Sequence, residues 1–81
     1  MRINVTFWSY FRDHAGCSET VVELETGATL AKLHEIVCEQ FPKLAGARNS
    51  ALKAVGMEYE SDDFVLSDGD DVSFFPPVQG G

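Results

Sequence analysis

The sequence predicts an α+β domain in which one main helix covers one face of a mixed β-sheet. The chain has 81 residues, which is enough for one domain with one hydrophobic core. Alternating apolar residues near both ends predict strands, and a stretch between them has the spacing of an amphipathic helix. The hydrophobic fraction is 44%, and six Phe, two Tyr and one Trp are available to fill the core.

The N-terminal part of the chain predicts two strands joined as a hairpin with a wide connection. Residues 2–10 alternate between two faces. One face carries Ile3, Val5 and Phe7, and the other carries Asn4, Thr6 and Trp8. Residues 11–16 end in a glycine and are expected to turn the chain. Residues 19–25 are rich in β-branched side chains and predict the second strand, with Val22 and Leu24 on one face.

The middle of the chain predicts the main helix. Thr29 is the expected N-cap, because its hydroxyl can accept from a backbone N–H of the first turn. Pro42 ends the helix, because the residue before a proline avoids helical backbone angles. The apolar stripe expected to face the sheet consists of Leu30, Leu33, Ile36, Val37 and Phe41.

The remaining part of the chain predicts shorter elements. Residues 43–50 are expected to form a loop, 51–55 a short strand and 57–60 a minor strand. Residues 67–70 are a strong turn signal, and residues 71–75 predict the last strand. In that strand Val72 and Phe74 share one face, and Ser73 and Phe75 share the other.

The resulting order, ββαββ, is typical of a β-grasp arrangement with the first and last strands paired at the centre of the sheet. A single helix leaves the opposite face of that sheet uncovered. Trp8 and Phe75 are predicted to lie on this uncovered face. Exposed aromatic side chains there indicate a docking surface, unless loops cover them.

Charge and cysteine content exclude several classes of protein. The chain has 13 acidic and 6 basic residues, a net charge of −7, which argues against nucleic acid as a partner. The acidic balance predicts either a basic partner surface or simply solubility. Polar residues interrupt the N-terminal stretch, so we expect no signal peptide, no membrane partner and a cytoplasmic location. Cys17 and Cys38 lack the spacing of a metal or redox motif.

The last six residues predict an extended tail, 76–81, after a domain of residues 1–75. Pro76 and Pro77 fix φ and cannot donate to a sheet ladder, so they end the strand and stiffen the exit. Gly80 and Gly81 carry no side chain, so this thread can enter a narrow site that a Cβ would block. The tail is either presented to a partner or an ordinary frayed end.

Residues 66–81, which read LSDGDDVSFFPPVQGG, resemble the end of the small subunits of molybdopterin synthases. Phe11-Arg12-Asp13 and Gly27-Ala28-Thr29-Leu30 also resemble that family, after its first strand and at its helix start. Ala54-Val55-Gly56 departs from the family's usual Ala-Val-Asn and indicates a changed turn. The resemblance implies a ubiquitin-like β-grasp domain.

The resemblance also implies a function, that of a sulfur carrier in molybdenum cofactor biosynthesis. A ubiquitin-activating-like adenylyltransferase would adenylate the Gly81 carboxylate with ATP, and a thiocarboxylate would follow. The large synthase subunit would then receive the tail, and the sulfur would pass to cyclic pyranopterin monophosphate. The chain itself would bind no cofactor and no metal. Two carriers and two large subunits would form the synthase. The residues implied to contact partners are Trp8, Arg12, Phe75, Pro76, Pro77, Val78, Gln79 and Gly80.

Three alternatives remain open at this point. The chain could carry sulfur for thiamine synthesis or tRNA thiolation, because these carriers share the fold and the Gly-Gly end. It could be a ubiquitin-like modifier joined to lysines, because that chemistry also begins with adenylation. It could also be an interaction module with an inert tail.

Other candidate site residues are expected to have structural roles. His14 and His34 show no convergent carboxylate pattern, so neither is expected to act in catalysis or bind metal. Cys38 is expected to pack beside the helix stripe. Asp68, Asp70 and Asp71 lack the length and terminal Glu of a calcium loop and are better explained by turn formation.

Overall fold

The computed structural model describes residues 1–47 and 51–77. In chain order the elements are β1 (Arg2–Phe7), α1 (Tyr10–Ala15), β2 (Glu19–Glu23), α2 (Leu30–Gln40), a 3-10 helix (Pro42–Ala47), β3 (Leu52–Val55), β4 (Glu58–Tyr59) and β5 (Asp71–Phe75). The strands form one sheet in the order β2-β1-β5-β3-β4. This confirms the predicted α+β, β-grasp architecture with a mixed sheet.

The centre of the sheet is the parallel pair β1 and β5, as predicted. Their register places Val5 opposite Val72 and Phe7 opposite Phe74. The other pairings, β1 with β2, β5 with β3 and β3 with β4, are antiparallel. A parallel pair needs a long crossover, which here contains β2, α2, β3 and β4.

The core lies between α2 and one face of the sheet. Thr29 caps the helix as predicted, since its Oγ1 accepts from the Lys32 N–H at 3.4 Å. Phe41 ends the helix, and its ring packs edge-on against Phe7 with centroids 5.3 Å apart. The side chains that α2 and the three longest strands bury in this layer are Leu30, Leu33, Val37, Ile3, Val5, Phe7, Val22, Val72 and Phe74.

Residues 10–15 form a helix, so the prediction of a turn over residues 11–16 was wrong. The first strand also ends at Phe7 rather than at Tyr10. The helix forms because Phe11 is an apolar anchor, only 2% exposed, that pulls this segment onto the core. Gly16 ends it in the left-handed conformation, with φ 78°, and its N–H donates to the Arg12 carbonyl at 2.9 Å.

Two further boundaries differ from the sequence prediction. Part of the loop expected at 43–50 is the 3-10 helix Pro42–Ala47, which buries Leu44 in the core. The second strand ends at Glu23 rather than at residue 25. Beyond that point Leu24 still faces the core, and its N–H donates to the Met1 carbonyl at 2.9 Å.

A tight turn with unusual backbone angles joins β1 to α1. Ser9 has φ 56° and ψ −138°, and the Phe11 N–H donates to the Trp8 carbonyl at 3.2 Å. These angles match the first central position of a type II′ turn, which glycine adopts far more readily than serine. The turn therefore stores backbone strain beside Trp8.

We predict that Ser9→Gly raises the free energy of unfolding by about 1 kcal/mol, because glycine adopts a positive φ at no steric cost. Ser9→Ala is the matched control, since alanine keeps the strain and should bring no gain. Chemical denaturation of the three proteins measures the difference. Equal stability of the glycine and alanine variants would contradict a strained turn.

We predict that Phe74→Ala lowers the free energy of unfolding by roughly 3–5 kcal/mol, as the loss of a core aromatic does. Phe74 is 1% exposed and packs against Phe7 at 6.1 Å between ring centroids. Val21→Ala is the control, because Val21 is an exposed residue on β2. Thermal and chemical denaturation measure the free energy of unfolding of both variants. A similar loss in the two would contradict the assignment of Phe74 to the core.

Candidate docking face and tail

The parallel pairing of β1 and β5 places Trp8 and Phe75 side by side. Both strands end at the same edge of the sheet, and the Trp8 N–H continues the ladder by donating to the Phe74 carbonyl at 3.1 Å. The Trp8 and Phe75 rings stack with centroids 5.6 Å apart and planes 13° apart. Both lie on the face that α2 does not cover, as the alternation predicted.

Tyr59 joins these two rings, and sequence reasoning missed it. Its ring meets Phe75 edge-on at 6.1 Å. The register brings it there, because Tyr59 is opposite Ala54 on β3 and Ala54 is opposite Ser73 on β5. A two-residue strand gives too short an alternation to assign a face. The glycine at position 56 did indicate a turn that folds Tyr59 back beside the preceding strand.

Trp8, Tyr59 and Phe75 form what we call the aromatic cluster. Trp8 is 47% exposed and Tyr59 is 67% exposed. Phe75 is partly buried between the other two rings. Stacked aromatics that keep this much exposed area are typical anchors of a protein–protein interface.

The tail begins directly beside this cluster. Pro76 and Pro77 follow Phe75 and are both partly buried. Neither proline has an N–H to donate, so the ladder of β5 ends at Phe75. Val78, Gln79, Gly80 and Gly81, which were predicted to contact partners or carry the reactive carboxylate, lie outside the described residues. The division into a domain of residues 1–75 and a tail of 76–81 therefore stays a prediction.

Arg12 lies on α1, and its side chain is exposed. Tyr10, which opens the same helix, packs edge-on against Phe11 with ring centroids 5.4 Å apart, and its ring is tilted against that of His14, also at 5.4 Å. The helix thus adds an exposed cation and a polar aromatic ring next to the turn that carries Trp8. A contact of Arg12 with partners remains a prediction.

The other candidate residues have structural surroundings. Asp68 Oδ1 accepts from the Arg2 N–H at 2.8 Å, and Asp70 Oδ2 accepts from the Ser67 N–H at 2.8 Å. These bonds confirm turn formation as the role of that segment. Cys38 is buried, as predicted, and Cys17 is partly buried. Within residues 1–47 and 51–77, no group of three His, Cys, Asp or Glu is placed to hold a metal ion.

The described face has the composition of a binding surface. It combines three aromatic rings with an exposed carboxylate, Asp71, at the start of β5. His14 is exposed on α1, and His34 is buried on the opposite side of the sheet against Phe74.

Among the helices in the described residues, none is long and apolar enough to cross a membrane.

Comparisons with known proteins agree with this geometry. The "Molybdopterin synthase sulfur carrier subunit" of Chlamydomonas reinhardtii is 32% identical over 83 residues, with 100% of both chains covered. The protein of the same name from Escherichia coli is 36% identical over 81 residues, covering 98% of this chain and 99% of that one.

Solved structures show the same fold. A Pyrococcus furiosus protein assigned as molybdopterin converting factor subunit 1 has a TM-score of 0.88 and 31% identity, covering 96% of this chain and 99% of that one. Small archaeal modifier protein 1 of Haloferax volcanii has a TM-score of 0.88 and 16% identity, covering 95% and 98%. A third structure is the complex of subunits 1 and 2 of the Helicobacter pylori molybdopterin-converting factor. One chain of that complex matches with a TM-score of 0.71 and 22% identity, covering 100% of both chains.

A family model described as the ThiS family matches residues 5–81, almost the whole chain. The match includes the second half of β1, all later strands and helices, the aromatic cluster and the Gly-Gly end. Together with full-length relatives above 30% identity, it shows that this chain belongs to the ThiS family.

Proposed function

We propose that this chain is the sulfur carrier of molybdopterin synthase, with the Gly81 carboxylate as the group that carries the sulfur. The observation that carries the proposal is the stacked pair Trp8 and Phe75, an exposed anchor directly at the root of a Pro-Pro-Val-Gln-Gly-Gly tail. Curated relatives covered over their full length have the same assignment in their names. The carrier would act in the cytoplasm.

The proposed chemistry needs no side chain of the carrier. A carboxylate is a poor electrophile, so the Gly81 oxygen first attacks the α-phosphate of ATP and pyrophosphate leaves. A sulfide-level nucleophile, HS⁻ or its equivalent, then attacks the acyl carbon, the C–O bond to AMP breaks, and AMP leaves the thiocarboxylate. Gly80 and Gly81 put no Cβ in the path of either attack. The partner enzymes supply the ATP site and the acid–base groups.

The tail is long enough to separate the reaction from the domain. Residues 76–81 span about 20 Å when extended, at ~3.3–3.6 Å per residue. The aromatic cluster stays at the mouth of the partner's pocket while the tip enters it. The two contacts thus have different roles: the aromatic rings fix the position of the domain, and the tail delivers the sulfur.

The proposed partners are the large synthase subunit and a ubiquitin-activating-like adenylyltransferase. The solved complex of the two H. pylori subunits supports the first, because a protein of this fold binds a second subunit there. Both partners would meet the same face in turn, since each has to receive the same tail. The net charge of −7 favours a basic surface around their pockets.

A second function, attachment to lysines as a protein modifier, is favoured by one observation. The chain shares its fold with small archaeal modifier protein 1 at a TM-score of 0.88. Both functions begin with adenylation. In the carrier a sulfur nucleophile displaces AMP and the sulfur is passed on, whereas in the modifier the acyl carbon of Gly81 ends in an amide bond to a lysine amine. Lysine adducts in a cell extract would favour the modifier, and sulfur transfer to cyclic pyranopterin monophosphate would favour the carrier.

We predict that deleting Gly81 abolishes molybdopterin formation in a reconstituted synthase assay and leaves the folding stability unchanged. The carboxylate would end one residue, about 3.5 Å, short of the reacting position. Gly80→Ala is expected to slow transfer with an unchanged melting temperature, because its Cβ meets the walls of the channel. Full activity of the deletion variant would exclude the proposed function.

We predict that Phe75→Ala weakens binding to the large subunit by about 2 kcal/mol or more, roughly 30-fold in Kd, as loss of an interface anchor does. Met57→Ala is the matched control, because Met57 is a fully exposed apolar residue at the β3–β4 turn and is outside the aromatic cluster. Titration calorimetry compares the two variants with the parent chain. A similar small loss for both would show that the aromatic cluster is not the anchor.

A further inference from the structure

A lysine lies on the core side of the sheet, close to the root of the tail. Lys53 is opposite Phe74 in the register of β3 and β5, so its side chain points toward α2 rather than toward the aromatic cluster. Its side chain is only 9% exposed. Ionised lysines are almost never buried to this extent unless they are paired.

Two residues from different elements pair with this lysine. The carboxylate of Asp62, in the segment after β4, forms an ion pair with the Lys53 ammonium. His34 on α2 lies on the other side, with its Nδ1 at 3.2 Å from Lys53 Nζ. An ammonium only donates, so Nδ1 accepts and the proton of the neutral ring is on Nε2.

His34, Lys53 and Asp62 connect three parts of the fold. His34 lies on α2, Lys53 on β3, and Asp62 in the segment that follows β4. The same segment caps α2, because the Ala31 N–H donates to the Asp62 carbonyl at 2.9 Å and the Leu30 N–H donates to the Phe64 carbonyl at 2.9 Å. The His34 ring also packs on Phe74, with centroids 5.2 Å apart.

The contact with the Lys53 ammonium fits the neutral form of His34. His34 is 6% exposed. Protonation removes the acceptor at Nδ1 and places a second cation beside the Lys53 ammonium, whose charge Asp62 already balances. Cys38, one helical turn further on, is buried, and Glu35 beside His34 is partly buried on the same helix. Desolvation and like-charge repulsion both oppose the imidazolium.

We propose that His34, Lys53 and Asp62 form a proton-sensitive lock that fastens the 61–66 segment and β3 to α2, and that acid opens it. The lock contributes stability while His34 is neutral. That contribution is lost as the pH falls through the ordinary titration range of imidazole, near pH ~6.5. The function of the lock is regulatory, since its opening loosens the helix cap and the strand next to the root of the tail.

The test compares the pH dependence of unfolding in the parent chain and in His34→Gln, which cannot become charged. Between pH 7.5 and 5.5, we expect the unfolding constant of the parent to rise at least about threefold relative to the variant, below the limit of tenfold per pH unit for one proton. His14→Gln is the control, because His14 is exposed, and its profile should follow the parent. Parallel profiles for parent and His34→Gln, or a relative gain of parental stability in acid, would overturn the proposal.

Lys53→Met distinguishes the lock from the burial of a histidine alone. Without the ammonium the like-charge repulsion is gone, so the acid-induced loss should fall to less than about half of the parental value. A full acid-induced loss in Lys53→Met would show that burial alone explains the effect and would reject the lock.

Hydrogen exchange of the unmodified protein gives an answer even if the variants fail to fold. Leu30 and Ala31 donate to the 62–64 segment, whereas Phe7 donates to the Ser18 carbonyl at 2.8 Å between β1 and β2. After correction for intrinsic rates, we expect the Leu30 and Ala31 amides to lose protection at least about threefold more than Phe7 from pH 7.5 to 5.5. Equal changes at all three amides would contradict a local lock.

Discussion

The parallel pairing of β1 and β5 is the constraint on which the rest of the structure depends. Parallel neighbours end at the same edge of a sheet, so the residues that follow them meet. Here the Trp8 N–H donates to the Phe74 carbonyl at 3.1 Å, and the indole stacks on Phe75. The last strand is therefore held in the centre of the sheet, and Pro76 and Pro77 follow it at the edge where Trp8 lies.

The single main helix explains why one face is free to bind. A chain of 81 residues buries one core, and α2 covers one side of the sheet with the stripe that begins at Leu30. The opposite side leaves the rings of Trp8 and Tyr59 exposed and that of Phe75 partly buried between them. On the covered side, the ammonium of Lys53 is paired with Asp62 and contacts His34. These polar partners allow a charged side chain to lie under the helix.

Much of the fold follows from local pattern, and the remainder depends on contacts distant in sequence. The alternation around Phe7 and Phe74 predicted both central strands and the face that carries Trp8 and Phe75. The helix at Tyr10 was missed, because six residues give too few turns for a periodic pattern and Phe11 is fixed by tertiary packing. Tyr59 was missed because a register across β3 and β5 places it, and the same register buries Lys53.

The most direct test of the sulfur-carrier assignment is the intact mass of the chain isolated from cells that make molybdopterin, followed by fragmentation. The account predicts a fraction of molecules in which one oxygen is replaced by sulfur, with the change localised to Gly81. Sulfur found instead on Cys17 or Cys38, or a Gly81 carboxylate that is never replaced, would contradict it.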